Sequence, residues 1–374
     1  MSAYIKSFSL KCGRLLVYIL IIFSILVSPI RAIGVSARSA ILIDANTGQV
    51  LFQSNANQRM PMASTTKIMT AVVAIENMDL SARIKIPKEA VGIEGSSIYL
   101  CEGEILTLEE LLYALMLASA NDAAVAISIA VSGSVEDFAL LMNQTAQRLG
   151  LDDTHFENPN GLDSSGHYTT AYDLAKLTAY ALSIPKFCEI VSTYKKSIPL
   201  NDQPNARLLV NHNKLLRSYD RAIGVKTGFT KKSGRCLVSA AKRDDMTLIA
   251  VTLNAPDDWH DHKAMLDFGF ENYYSVLLGD FSIELPLISG EKTVVRCSAD
   301  EKSFKLLPAD HGEISCVVEM YPFVYAPVEL GEKLGEIIYY LDDDEIARFP
   351  ILSLEAVGAI KKSRTVWDIL FDKQ

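Results

Sequence analysis

The chain has 374 residues, enough for two or three domains, and 49% hydrophobic with 22% charged residues excludes a disordered polymer. The net charge is −9; residues 1–32 hold four basic side chains (Lys6, Lys11, Arg14, Arg31) and no acidic one, so the remainder carries −13. That excess excludes nucleic acid or a generally anionic polymer as partner, because a phosphate backbone demands a basic face.

The amino-terminal segment 1–32 has the pattern of an export signal. Lys6, Lys11 and Arg14 precede a 13-residue apolar run, Leu15 to Val27, and Ile30-Arg31-Ala32 offers a small residue before a cleavage point. The run is short for a transmembrane helix, which needs about 20 residues. Ile30 fits the cleavage pattern poorly, so an uncleaved anchor is the alternative. Either way the rest of the chain is expected outside the cytoplasmic membrane. Cys12 falls in this segment. Cys101, Cys188, Cys236, Cys297 and Cys316 are widely spaced with no CxxC pair, which argues against a disulfide framework or zinc site. Buried free thiols are expected, with a Cys297–Cys316 pair as the alternative.

A hairpin follows: Ala40 to Ile43, a turn at Asn46-Thr47-Gly48, and Val50 to Phe52. Ser64 to Met78 reads as a buried helix. Thr107 with Glu110 forms a capping box that opens a second helix, LLYALMLA. Asp122 to Val131 and Val135 to Leu149 read as two more, NPNGLDSSGHYTT as a loop, and AYDLAKLTAYALS as helix again. From Ala222 the pattern turns to IGVKTGF, RCLVSAAKR and MTLIAVTLN, three strands with connections short enough for antiparallel pairing, before a closing helix at Lys263 to Tyr274. From Ser275 short alternating segments predict a small all-β domain. In the tail, Val357, Ile360, Trp367 and Leu370 have roughly helical spacing, with Lys361, Lys362 and Arg364 between them; an interfacial membrane helix and a helix docked on the β domain are both open. The expected division is 1–32 signal, 33–274 catalytic domain, 275–354 β domain and 355–374 amphipathic tail. The class is α+β, an antiparallel sheet with packed helices.

Three short patterns carry chemistry. Ser64-x-x-Lys67 places a hydroxyl and an amine on one helical face, and burial would lower the amine's proton affinity enough for it to act as a base. Ser64 at a helix start is also an ordinary capping residue. Ser119-Ala120-Asn121 sits at a helix junction, where hydroxyl and amide can face one cleft; capping residues are common there too. Lys226-Thr227-Gly228 on a strand offers a fixed positive charge, a hydroxyl and a backbone that a substrate can approach, with Thr230 close by. Each pattern alone is weak. Together they appear in the order S-x-x-K, S-x-N, K-T-G, each in the element its role requires.

The chain thereby resembles the D-alanyl-D-alanine carboxypeptidases, low-molecular-mass penicillin-binding proteins, from about Ala37 onward. The phrases ILIDANTGQVLF, MASTTKIMTA, EGSSIYLCEGE, LMLASANDAAVA, FENPNGLD, HYTTAYDLA and GVKTGFT carry the resemblance. It implies a β-lactamase/transpeptidase-like catalytic domain that removes the terminal D-alanine from peptidoglycan pentapeptide stems through an acyl-enzyme, with β-lactams as inhibitors and no metal or organic cofactor. Ser64 is then the nucleophile and Lys67 its base; Ser119 and Asn121 line the cleft; Lys226 and Thr227, with Thr230, bind the substrate carboxylate. The N–H groups of Ser64 and Phe229 form the oxyanion hole, with Gly228 between the strand and the substrate. The tail resembles the family's membrane-associating end.

Two departures stand out. The middle pattern is Ser-Ala-Asn rather than Ser-Gly-Asn, and Asp258 occupies the place where relatives often carry a carboxylate-binding Arg, leaving Lys263 or Arg235 as substitutes. The six His (His155, His167, His212, His260, His262, His311) match no HExxH pattern and are expected in solvated or loop positions; His260-Asp261-His262 lacks a third metal ligand. No G-x-S-x-G elbow is present. Two rival functions are a β-lactamase, for which Glu157 near the loop is poorly placed as a hydrolytic base, and a non-catalytic exported wall-binding protein.

Overall fold

The computed structural model describes residues 33–200, 203–299 and 303–360. Residues 1–32, expected as the export signal, and residues 361–374 of the tail lie outside these.

Ser39–Asp44 (β1) and Val50–Ser54 (β2) form the expected hairpin. A single 3-10 turn, Ala63–Thr66, runs into Lys67–Asn77 (α1). Arg83–Lys85 (β3) pairs with Ile105–Thr107 (β4), and Leu108–Leu117 (α2) starts at once. The capping box fixes that start: Thr107 Oγ1 accepts from the Glu110 N–H at 3.2 Å, and the Thr107 N–H donates to Glu110 Oε2 at 2.7 Å. Asn121–Ser132 (α3), Val135–Arg148 (α4) and Ala171–Leu182 (α5) are the remaining expected helices of this region. Pro185–Ser192 (α6), opened by a proline whose fixed φ suits a first helical position, and the hairpin of Lys195–Leu200 (β5) with Gln203–Val210 (β6) were not anticipated. The short helix Leu215–Ser218 (α7) leads to Ala222–Thr230 (β7), Gly234–Arg243 (β8) and Met246–Leu253 (β9).

These three strands join the first hairpin in one antiparallel sheet, ordered β2-β1-β9-β8-β7. Its period-two pattern serves two cores. Ile41, Ile43, Val238, Ala240, Ile249 and Val251 face the helical bundle that contains α1, α2, α3 and α5. Their neighbours Ala40, Leu42, Ala241, Leu248 and Ala250 face Met265, Leu266 and Phe270 on the last helix. That helix spans Asp258–Asn272 (α8), five residues ahead of the expected start. Asp258 and Asp261 occupy its first turn, where acidic side chains favour a helix amino terminus.

The β-rich remainder pairs Tyr273–Leu278 (β10) with a later strand, Ser303–Pro308. That partner (β13) stays in a two-stranded sheet with β10, while Phe281–Ile288 (β11), Val294–Ala299 (β12), Ile314–Met320 (β14), Val324–Tyr325 (β15), Lys333–Leu341 (β16) and Asp344–Ser353 (β17) form a six-stranded sheet ordered β14-β16-β17-β12-β11-β15. Leu285, Val295, Ile337, Phe349 and Ile351 fill its core. The opening of the tail is not helical. Val357 is buried and bridges Val328, and Ala359 bridges Gly290, so 355–360 is extended chain tied to the β domain. The five cysteines among the described residues are free; Cys297 is buried while Cys316, on the edge strand β14, is exposed, as is Cys101, so the expectation of burial fails for those two.

Candidate active site

The 3-10 turn brings Ser64 to the end of β7. Ala63 has φ of +46°, a conformation that L residues adopt only when the surroundings impose it. Ser64 makes no capping bond, contrary to one sequence reading; the turn is closed by Thr65 Oγ1 donating to Met62 O at 2.6 Å and Thr66 Oγ1 to Ala63 O at 2.8 Å. That leaves the Ser64 hydroxyl facing Lys67, whose Nζ lies 2.9 Å away.

Lys67 is fully buried. Its Nζ also lies 2.7 Å from Asn121 Oδ1 and 2.6 Å from the Asn160 carbonyl. The Asn121 amide is oriented by its own Nδ2, which donates to Glu94 O at 2.6 Å. Both oxygens therefore only accept, and a neutral amine satisfies them with its two N–H groups while its lone pair faces the Ser64 O–H. Burial holds the Lys67 ammonium well below its ordinary value, the positive Lys226 adds to the effect, and Asp122 opposes it. The amine is enclosed rather than solvated, and its lowered proton affinity suits a base.

Lys226 on β7 is also buried, and burial pushes it down to about 7. Its Nζ donates to Thr227 O at 2.9 Å, behind the cleft wall rather than on it. A Cβ at Gly228 would lie 3.0 Å from Ser64 N, so only glycine lets this strand approach the nucleophile's backbone so closely. Ser64, Ser119, Thr227, Gly228 and Phe229 line one cleft of about 350 Å³. Ser119, with φ of +59°, is nearly enclosed at the α2–α3 junction. Thr230, expected with them, does not line it; its hydroxyl is engaged with Ser233 and, at 3.0 Å, with Asp163.

The far wall holds Asp258 together with one of its two expected substitutes. Asp258 is buried at the start of α8 and pairs with Arg235 of β8, Nη2 to Oδ1 2.8 Å. Arg235 lines the cleft and Lys263 does not. The Arg235 Nε is enclosed without a hydrogen-bond acceptor among the described residues. Lys214 and Trp259 join this wall, the lysine 5.9 Å from the indole; neither had a sequence signal, because α7 and α8 meet only in the fold. Asn160 lies within FENPNGLD, but a backbone carbonyl carries no residue-type signature.

Two histidines contradict the expectation of solvated positions. His262 is buried between Ser239 Oγ (2.5 Å) and Thr252 Oγ1 (2.9 Å), and burial pushes it down to about 3. His167 is buried behind the 3-10 turn and pushed down to about 4. Neither belongs to a metal cluster: among the described residues no three His, Cys, Asp or Glu side chains converge to hold an ion. Glu157 faces its own loop, accepting from the Ser164 hydroxyl and the Gly166 N–H. A larger hollow of about 580 Å³ on the β domain, between β14 and β16, is lined by no Ser, His or Cys.

Comparison with known proteins agrees with this geometry. Residues 27–257 match the family described as D-alanyl-D-alanine carboxypeptidase, and residues 281–359 match the C-terminal domain of penicillin-binding protein 5. The chain is 33% identical over 332 residues to D-alanyl-D-alanine carboxypeptidase DacF of Bacillus subtilis, covering 85% of each. It is 31% identical to DacC of Escherichia coli, over 92% of this chain and 90% of that one. Penicillin binding protein 5 from Haemophilus influenzae superposes with a TM-score of 0.70 at 28% identity, covering 88% of this chain and 99% of that one. A buried lysine against a cleft serine, in a chain that matches on both domains, settles the assignment: the protein belongs to the D-alanyl-D-alanine carboxypeptidase family of serine hydrolases, the penicillin-binding proteins of the penicillin-binding protein 5 type.

Proposed function

We propose that Ser64 removes the terminal D-alanine of peptidoglycan pentapeptide stems by acyl transfer. The observation that carries the reading is the fully buried Lys67, held below its ordinary proton affinity, 2.9 Å from Ser64 Oγ. Lys67 takes the hydroxyl proton as Oγ attacks the penultimate D-Ala carbonyl. The N–H groups of Ser64 and Phe229 bind the developing oxyanion, a contribution typically worth two to three orders of magnitude per donor. The peptide C–N bond breaks, the amine of D-Ala leaves with a proton relayed through Ser119, and water then resolves the ester. Asn121 holds both the base and the substrate amide. Thr227 supplies a hydroxyl at the carboxylate end, and Lys226, buried behind it, supplies charge from behind the wall rather than by lining the cleft.

Arg235 is the group we assign to the substrate's terminal carboxylate, in the place left by Asp258. Its Nη2 is anchored by that aspartate while the side chain stays 42% exposed on the cleft, and Lys214 adds a second positive charge to the same wall. A β-lactamase reading has less support: Glu157, the acid nearest the required position, is tied to Ser164 and Gly166. We infer further that 1–32 directs export, that 33–274 is the acylating unit and 275–354 an appended β domain, and that the tail bears on a membrane surface. The excess of Lys361, Lys362 and Arg364 among apolar residues supports the last point.

The test is release of D-alanine from a pentapeptide ending in D-Ala-D-Ala. The native protein is expected to release it, and Ser64→Ala to release none; release by Ser64→Ala at the native rate would overturn the assignment, and no release by a folded native protein would favour the non-catalytic wall-binding reading.

A further inference from the structure

Behind the nucleophile, on the side away from the cleft, lies a chain of directed hydrogen bonds that the reaction above does not use. The Glu157 N–H donates to His167 Nδ1 at 3.0 Å. That nitrogen must therefore be unprotonated, and the neutral ring carries its proton on Nε2, 2.7 Å from Thr66 Oγ1. Thr66, already accepting from the histidine, donates its own proton to Ala63 O at 2.8 Å. Every donor has one acceptor, and the direction runs from the Glu157 backbone to the Ala63 carbonyl. His167 and Thr66 are both buried, with Phe156 edge-on to the imidazole at 5.8 Å.

The last acceptor matters because of where its peptide leads. Ala63 C=O and Ser64 N–H are the two ends of a single planar unit, so fixing one fixes the other. That unit is closed on both sides by glycines. A Cβ at Gly161 would fall 1.9 Å from Ala63 O, and a Cβ at Gly228 would fall 3.0 Å from Ser64 N. Ala63 is held at φ +46°, a conformation that only an over-determined setting retains. A carbonyl that accepts a hydrogen bond also polarises the N–H across its own peptide, strengthening it as a donor.

We propose that Thr66 and His167 are positioning residues for the oxyanion: they hold the Ala63–Ser64 peptide so that the Ser64 N–H points into the cleft as a polarised donor. The inference rests on the reading of Ser64 as the acylated residue. It assigns a role to a buried histidine that touches neither substrate nor base.

The experiment measures acylation by a fluorescent penicillin and D-alanine release, using the full chain, for Thr66→Val, Thr66→Ser, His167→Leu, His167→Gln and the Thr66→Val/His167→Leu double variant. Thr66→Val and His167→Leu are each expected to lower kcat about 10- to 100-fold, less than the roughly 10²–10³-fold cost of losing an oxyanion donor outright because the donor is misaligned and not removed, with KM within about twofold. Thr66→Ser keeps the hydroxyl and His167→Gln keeps a donor at the Nε2 position, so both should recover most of the native rate. The double variant should be no slower than the slower single one, since a broken chain is not broken twice. Melting curves show which variants are folded, and where a removal variant does not fold, the corresponding conservative one is compared with the native rate. Rates unchanged in Thr66→Val and His167→Leu, additive losses, or losses that appear in KM rather than kcat would overturn the proposal. If the native protein is not acylated at all, the reading of Ser64 has failed instead, and the two failures are thereby distinct.

Discussion

The two halves of the molecule treat ionisable groups in opposite ways. In the helical half Lys67, Lys226, His167 and His262 are all buried, each with fitted partners, and burial depresses all four. In the β domain charge stays outside: Arg348 pairs with Glu336 and Glu345, Lys333 with Glu336, and Lys292 with Glu355, while Leu285, Val295, Phe349 and Ile351 form an apolar core. Burying a charged form is costly, so it persists where a shifted proton affinity is useful; exposed ion pairs contribute little. The lesson is that polar substitutions in the first half should strike activity ahead of stability, and core substitutions in the second should strike stability alone.

The strongest way to break that contrast is Lys67→Met. Acylation should fall by about 10²–10⁴-fold, the usual range for a general base, while the melting temperature stays level or rises, since an apolar side chain of similar length suits the buried site. A large loss of stability with a preserved rate would reverse the roles we assign. Next comes Gly228→Val, whose side chain would start 3.0 Å from Ser64 N; penicillin acylation should fall roughly 10²-fold, as for a displaced oxyanion donor. Arg235→Leu should raise KM about 10-fold or more for a peptide with a free terminal carboxylate and leave an amidated peptide unaffected, reflecting one lost charge-assisted bond.

The pH dependence separates the two lysines. Lys67 must be neutral to accept the Ser64 proton, and its proton affinity is depressed, so acylation should fall as pH drops through that lowered value. Lys226 must be charged to attract a carboxylate, and it loses its proton near pH 7 in the free enzyme, so KM should rise above about pH 7 while kcat does not fall. A kcat/KM profile flat through acid pH would argue against a lysine base. The smallest effect on activity belongs to Phe349→Ala in the β-domain core: it should cost about 3–5 kcal/mol of that domain's stability and leave acylation at the native rate, read by calorimetry and penicillin labelling on the same sample.

How much of this the sequence carried differs by kind of contact. The hairpin, the capping box at Thr107 and the three-strand run at Ala222 follow from local periodicity, and the structure keeps them nearly to the residue. Ser64, Lys67, Ser119, Asn121 and Gly228 stood out as residue types in order, and the fold brings them around one cleft. Other features had no local mark. The Asn160 carbonyl meets Lys67 across 93 residues through its backbone. His167 looked like a loop histidine because its burial comes from the turn at Ala63–Thr66, a hundred residues earlier. The Arg235–Asp258 pair exchanges elements relative to the expected arginine, which only the juxtaposition of β8 and α8 makes visible.

The central claim is that Ser64, activated by Lys67, forms a persistent acyl-enzyme. Incubating the native protein with penicillin and locating the adduct by mass spectrometry of its peptides tests this most directly. One adduct is expected, on the peptide containing Ser64, outlasting the minutes of the assay; an adduct on another residue, no adduct, or rapid turnover of the penicillin would overturn the assignment.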